Sequence, residues 1–263
     1  MVSKTNPNSI GAREVAGGVT RQKLFPNLAG QDEGLSIDRI KISSNVNHRI
    51  ELTTASLGWL CVLDGEMVLN SPALTCDMAQ ASCALLPPGF KAELTARAGC
   101  ICLLVQAHDC GRFDPNFAES NQTFAAVDWN VVPILESRMD GRKRIQLAGP
   151  DFDTSILAID LVVHPPGKSS PRYHHQDAAT FLYVLGGHGR GQWTEQALSI
   201  QSGDLIYFPA GEWCSLAASN DDELRFLEIC VPGKFKTVWA KPAEKTSWTR
   251  TNFDIHGRRA APE

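Results

Sequence analysis

With 263 residues the chain has room for one large core or two smaller ones, since autonomous domains commonly take about 100 to 150 residues. Its composition, 43% apolar and 21% charged, is that of a globular protein. A net charge of −4 creates no field that draws in a phosphate backbone, which argues against nucleic acid as a partner.

The chain opens on "MVSKTNPNSIGAREVAGG", which is polar and lacks the apolar stretch of a secretory signal. No later run approaches the roughly 18 apolar residues of a membrane span, so the reading is a cytoplasmic protein without a membrane partner. Short β-branched and aromatic runs then recur between Gly, Pro, Asn and Asp: "LSIDRIKISSN", "GWLCVLDGEMVLN", "SCALLPPG" and "CICLLVQ". That spacing predicts an all-β barrel or sandwich, and helical periodicity is weak throughout. Six of the eight cysteines fall in this half, none in a CxxC pair. Cys100 and Cys102 share one face of a strand and read as core.

Residues 108–130 are rich in turn formers and read as a connector. The second half repeats the pattern in "TSILAIDLVVHPPG", "TFLYVLGGHGRGQWT", "GDLIYFPAG" and "LRFLEICVPG". Val184 follows Val62 by 122 residues, and Pro209 follows Pro87 by the same 122. Two motifs in one register predict a duplicated β-unit. The domains so defined are 28–107 and 131–240. A tail, 241–263, has no core-forming pattern and reads as flexible or docked on another subunit.

In the second half, Gly167, Tyr173, His175, Thr180 and Gly187, then Gly203, Pro209, Gly211 and Cys214, keep the spacing of the two sequence motifs of the cupin superfamily. The chain therefore resembles a bicupin, well over 150–232 and more weakly over 28–107. The resemblance implies two tandem jelly-roll barrels, each with a mouth that usually holds a metal and a small substrate. The family's three histidines and one glutamate would stand at Tyr173, His175, Cys214 and Thr180, and its asparagine at Ala218; only His175 matches. In the first half the matching positions are Glu51, Thr53, Gly58 and Ala92, which makes that barrel a scaffold. A tightly bound transition metal needs several converging imidazole or carboxylate donors, so no cofactor is expected. A metal, if held, would rest on His175, Cys214 and Asp177, with His174 as a substitute for His175.

Strand alternation places Tyr173, His175 and Asp177 on one face and His174 on the other. A phenol, an imidazole and a carboxylate in one mouth can move protons without a metal, and metal-free sugar epimerases of the cupin superfamily use a similar His and Tyr logic. His175, Tyr173 and Asp177 are thus the candidate acid–base residues, and Cys214, Thr180, Trp213 and Trp193 the candidate ligand contacts. Three functions stay open: a metal-independent isomerase or lyase on a small molecule, a metal-dependent dioxygenase-like enzyme, and a non-catalytic binding or sensor protein. Exposed sheet edges predict a homo-oligomer.

Overall fold

A computed structural model describes residues 2–25, 34–193, 196–242 and 245–260; the expected start of the first domain, residue 28, lies outside them. The chain divides into two compact units, Pro7–Asp128 and Trp129–Glu263, the second including Met1–Asn6. Both are built from antiparallel strands, and no described helix is long and apolar enough to cross a membrane.

In the first unit one sheet runs Ala125–Asp128, Ser82–Leu86, Leu57–Asn70, Cys100–Ala107, Leu35–Ile42, Val19–Lys23 and Arg13–Ala16. The long strand Leu57–Asn70 continues past this sheet to pair with Thr75–Ala79 and Lys91–Ala96, and the last of these pairs with Val46–Glu51. Between the two leaves lies an apolar cluster that includes Ile40, Leu60, Met67, Leu94 and Leu104, and the thiols of Cys100 and Cys102 belong to it. Burying such side chains stabilises by about 25 cal/mol per Å² of apolar surface, and nothing in this cluster asks for a polar partner.

The second unit repeats the plan. Its main sheet contains Leu205–Phe208, Ala179–Gly186, Leu224–Val231, Ala158–His164 and Lys143–Ala148 in that order, and its second sheet runs Gln196–Gln201, His188–Trp193, Cys214–Ala218, Tyr173–His175 and Thr237–Trp239. The duplication is visible at single residues. Gly65 and Gly187 stand 122 apart, both at positive φ (78° and 77°). A Cβ on Gly65 would collide with the Gly99 carbonyl, and one on Gly187 with the Glu223 carbonyl. Only glycine fits either crossing.

One edge of each main sheet is completed in a reciprocal way. Ala125–Asp128, which leads into the second half of the sequence, pairs with Ser82–Leu86 in the first unit. Ser3–Thr5, which leads into the first half, pairs with Leu205–Phe208 in the second. There Asp204, fully buried, accepts from Asn6 Nδ2 at 2.6 Å, Lys4 Nζ at 3.0 Å and the Gln201 amide at 2.9 Å.

The tail departs from the sequence reading. Trp248–Arg250 pairs with Leu135–Ser137 at the edge of the second unit's own sheet, and Thr246 and Asp254 are buried. Of its two aromatic residues Trp248 is half-buried and Phe253 exposed.

A candidate site inside the second barrel

Alternation along each strand decides which side chains face the barrel interior. From Tyr173–His175 these are Tyr173 and His175, 8% and 6% exposed; His174 turns away and meets Trp213 edge-on at 4.4 Å. The strand ends at His175, so the alternation expected to bring Asp177 inward does not reach it. Asp177 is exposed on the following bend.

The four motif positions do converge. Tyr173 stands opposite Cys214 in the ladder, and the Tyr173 and His175 rings lie 5.3 Å apart. The Thr180 hydroxyl is 2.9 Å from His175 Nδ1, and the Cys230 thiol reaches the same nitrogen at 3.4 Å. With Nδ1 engaged, Nε2 is the nitrogen available to a ligand. Burial holds His175 below its ordinary value, against the opposing pull of Glu228.

Around these residues lies a cavity of about 60 Å³, to which Tyr173, His175, His164, Arg144, Glu228 and Trp239 contribute, together with Arg142 and Trp248. The Tyr173 hydroxyl donates to Glu228 Oε1 at 2.7 Å; burial, then the Glu228 charge, pushes the phenol well above its ordinary value. Arg144 Nη2 donates to Asp160 Oδ2 at 2.6 Å. Burial outweighs that guanidinium and raises the Asp160 carboxyl to about 6. His164, 1% exposed, is lowered to about 3 by burial and then by Arg142. A charge this deep is costly unless paired, and the Arg144 guanidinium supplies the pairing for Asp160 in an otherwise apolar strand.

Two expected contacts stand elsewhere. Trp193 packs edge-on against Phe208 at 6.0 Å, and Trp213 lies between His174 and the Arg172 guanidinium, 5.7 Å from its ring. Neither belongs to the cavity lining; Trp239 and Trp248, from the last strands, take that place. Cys214 is 3% exposed in the apolar cluster, and burial raises its thiol far above the ordinary range. Arg144, Asp160 and Glu228 were not among the sequence candidates. A lone acid inside "AIDLVV" or "RFLEIC" was the available signal.

In the first unit the inward pair is displaced by one residue from the expected register. Ile50 pairs with Ala92 as Tyr173 pairs with Cys214, and Ile50 and Leu52 are buried in the core. Glu51 is exposed and bound to Lys91 and Arg49, while the Thr53 hydroxyl meets Ser56 at 2.7 Å.

The sequence profile of the cupin domain matches residues 160–230. Solved structures of Bacillus subtilis oxalate decarboxylase have the same fold. A deletion mutant of it shares 15% identity with this chain at a TM-score of 0.72, over 90% of this chain and 79% of that one. The structure of that enzyme at pH 4.6 shares 16% at 0.70, over 90% and 78%. A third, 15% identical at 0.72 over 90% and 79%, concerns that enzyme's Mn(II) centres. No curated protein sequence matches the chain.

The residues at the corresponding motif positions here do not fit a transition metal. They supply a phenol that donates to Glu228, a hydroxyl, a thiol kept protonated by burial, and one imidazole whose Nδ1 is already bonded. Among the described residues no three His, Cys, Asp or Glu side chains form a set that could hold an ion.

Proposed function

Taking the chain as a two-barrel protein of the cupin superfamily, we propose that it binds a small organic molecule in the cavity of its second barrel, without a metal, while its first barrel serves as scaffold. The observation that carries this reading is the convergence of His175, Tyr173 and Glu228 on one cavity. A cavity of about 60 Å³, well below the roughly 300 Å³ of ordinary ligand pockets, suits a ligand of few heavy atoms. The first barrel's interior, by contrast, is an apolar cluster.

Proton transfer is a second reading, favoured by one detail. His175 lines the cavity while Thr180 holds Nδ1, which leaves Nε2 free to exchange a proton with a bound molecule. Burial makes His175 a weak base, so binding is the primary role and proton exchange the secondary one.

Small acids, alcohols and amines titrated while tryptophan fluorescence is followed would test binding, since Trp239 and Trp248 line the cavity. Saturation that weakens at least tenfold in His175→Gln is expected. A response indifferent to His175→Gln and Tyr173→Phe would place the ligand elsewhere and overturn the reading. Deuterium appearing in a bound ligand's C–H position, and lost in His175→Gln, is the result expected of proton exchange.

A further inference from the structure

The charges around the cavity do not balance. Arg142 Nε donates to Asp140 Oδ2 at 2.8 Å, and its Nη2 to the Thr246 hydroxyl at 2.6 Å. Arg144 is held by Asp160. Each guanidinium thus has a carboxylate of its own. Glu228 is the third carboxylate, and its hydrogen-bonded partner is the neutral phenol of Tyr173. Arg144 also acts on Glu228 electrostatically, but it is then shared between two acids, and the group Asp160, Arg144 and Glu228 carries one negative charge in excess. Glu228 is part-buried, a setting in which opposite charges attract more strongly than in bulk water.

The surroundings fit an organic cation. Tyr173 and Trp239, with ring centroids 5.6 Å apart, line the cavity together with Phe226 and Trp248, and aromatic faces attract ammonium groups. His164, whose ring bonds the Leu216 backbone, is kept neutral by burial and adds no competing positive charge.

We propose that the ligand of this cavity is a small organic ammonium ion, its N–H groups directed to Glu228 and its carbon atoms against Tyr173 and Trp239. This inference rests on the ligand-binding reading above and adds the sign of the charge. Guanidinium groups in the same lining do not reverse it, because both are already neutralised by Asp140 and Asp160.

Three probes of similar size separate the possibilities: ethylammonium chloride, sodium acetate and ethanol, each titrated into the full chain by calorimetry and tryptophan fluorescence. Ethylammonium is expected to bind at least tenfold more tightly than either of the others. Glu228→Gln should reduce its affinity at least tenfold and leave ethanol unaffected. Saturable binding of acetate or ethanol with ethylammonium silent would overturn the cation inference and leave the ligand-binding reading in place. Silence from all three would overturn both. The comparison of probes on the unaltered chain needs no variant, so the inference stays falsifiable if Glu228→Gln fails to fold.

Discussion

Tyr173 and Glu228, 55 residues apart in sequence, are joined by a 2.7 Å hydrogen bond that ties the second sheet of the C-terminal unit to its main sheet. A hydrogen bond to a charged acceptor contributes about 1.5–3 kcal/mol. Tyr173→Phe should lower unfolding free energy by about that amount, measured by urea denaturation. Combined with Glu228→Leu, the double variant should lose less than the sum of the single losses. Strict additivity would show that the bond contributes nothing.

His174 and His175 are adjacent imidazoles on opposite faces, one against Trp213 and one in the cavity. His175→Ala should weaken ligand binding or proton exchange by about 10²-fold, the range of a positioned acid–base group. His174→Ala should leave either within about threefold. Equal effects from the two would contradict the inward register of this strand.

Asp160 and His164 give opposite responses to acid. The Asp160 carboxyl rises from about 3.9 unfolded to about 6 folded. Between those values the folded state holds the extra proton, and stability falls as pH rises. The His164 imidazole drops from about 6.5 unfolded to about 3 folded, so its contribution is lost as pH falls below about 6.5. From about pH 4 to 6 the two slopes cancel. Asp160→Asn should uncover the histidine's share, a loss relative to the unaltered chain of about 1.4 kcal/mol per pH unit on acidification. His164→Gln should uncover the reverse slope. Parallel pH–stability curves for Asp160→Asn and the unaltered chain would refute the assignment.

Asp204 receives Lys4, Asn6 and a backbone amide while fully buried. Asp204→Ala should destabilise by about 3–5 kcal/mol, the range for removing one partner from a buried charge pair. Asn6→Ala should cost about 1 kcal/mol. Chemical denaturation measures both, and a loss under about 1 kcal/mol for Asp204→Ala would argue against this clamp.

The barrel frame was readable because glycines such as Gly65 and Gly187 are demanded by backbone crossings that no other residue fits, and that demand leaves a mark at fixed spacing. The inward pair of the first barrel was misplaced because the 122-residue offset was carried through a turn of different length. The alternation of Ile50 and Leu52 pointed to the observed register. Trp239, Trp248 and Arg144 were invisible for a different reason: which wall a side chain completes is set by pairings across distant strands. As a check on the scaffold role, Glu51→Gln, which removes only an exposed pair, should change stability and ligand affinity by no more than about 0.5 kcal/mol. A tenfold loss of affinity would move the site to the first barrel.

The pairing of Ser3–Thr5 with Leu205–Phe208 sets an order of events during synthesis. Lys4 meets Asp204 across 200 residues, and at about 5–20 residues per second the ribosome takes roughly 10–40 s to make that interval. Throughout it the strand Ser3–Thr5 has no ladder partner, while the described strands of Pro7–Asp128, whose edge is closed by Ala125–Asp128, are complete once residue 128 is made. The segment Pro7–Asp128 is therefore made whole before Ser3–Thr5 meets its ladder partner.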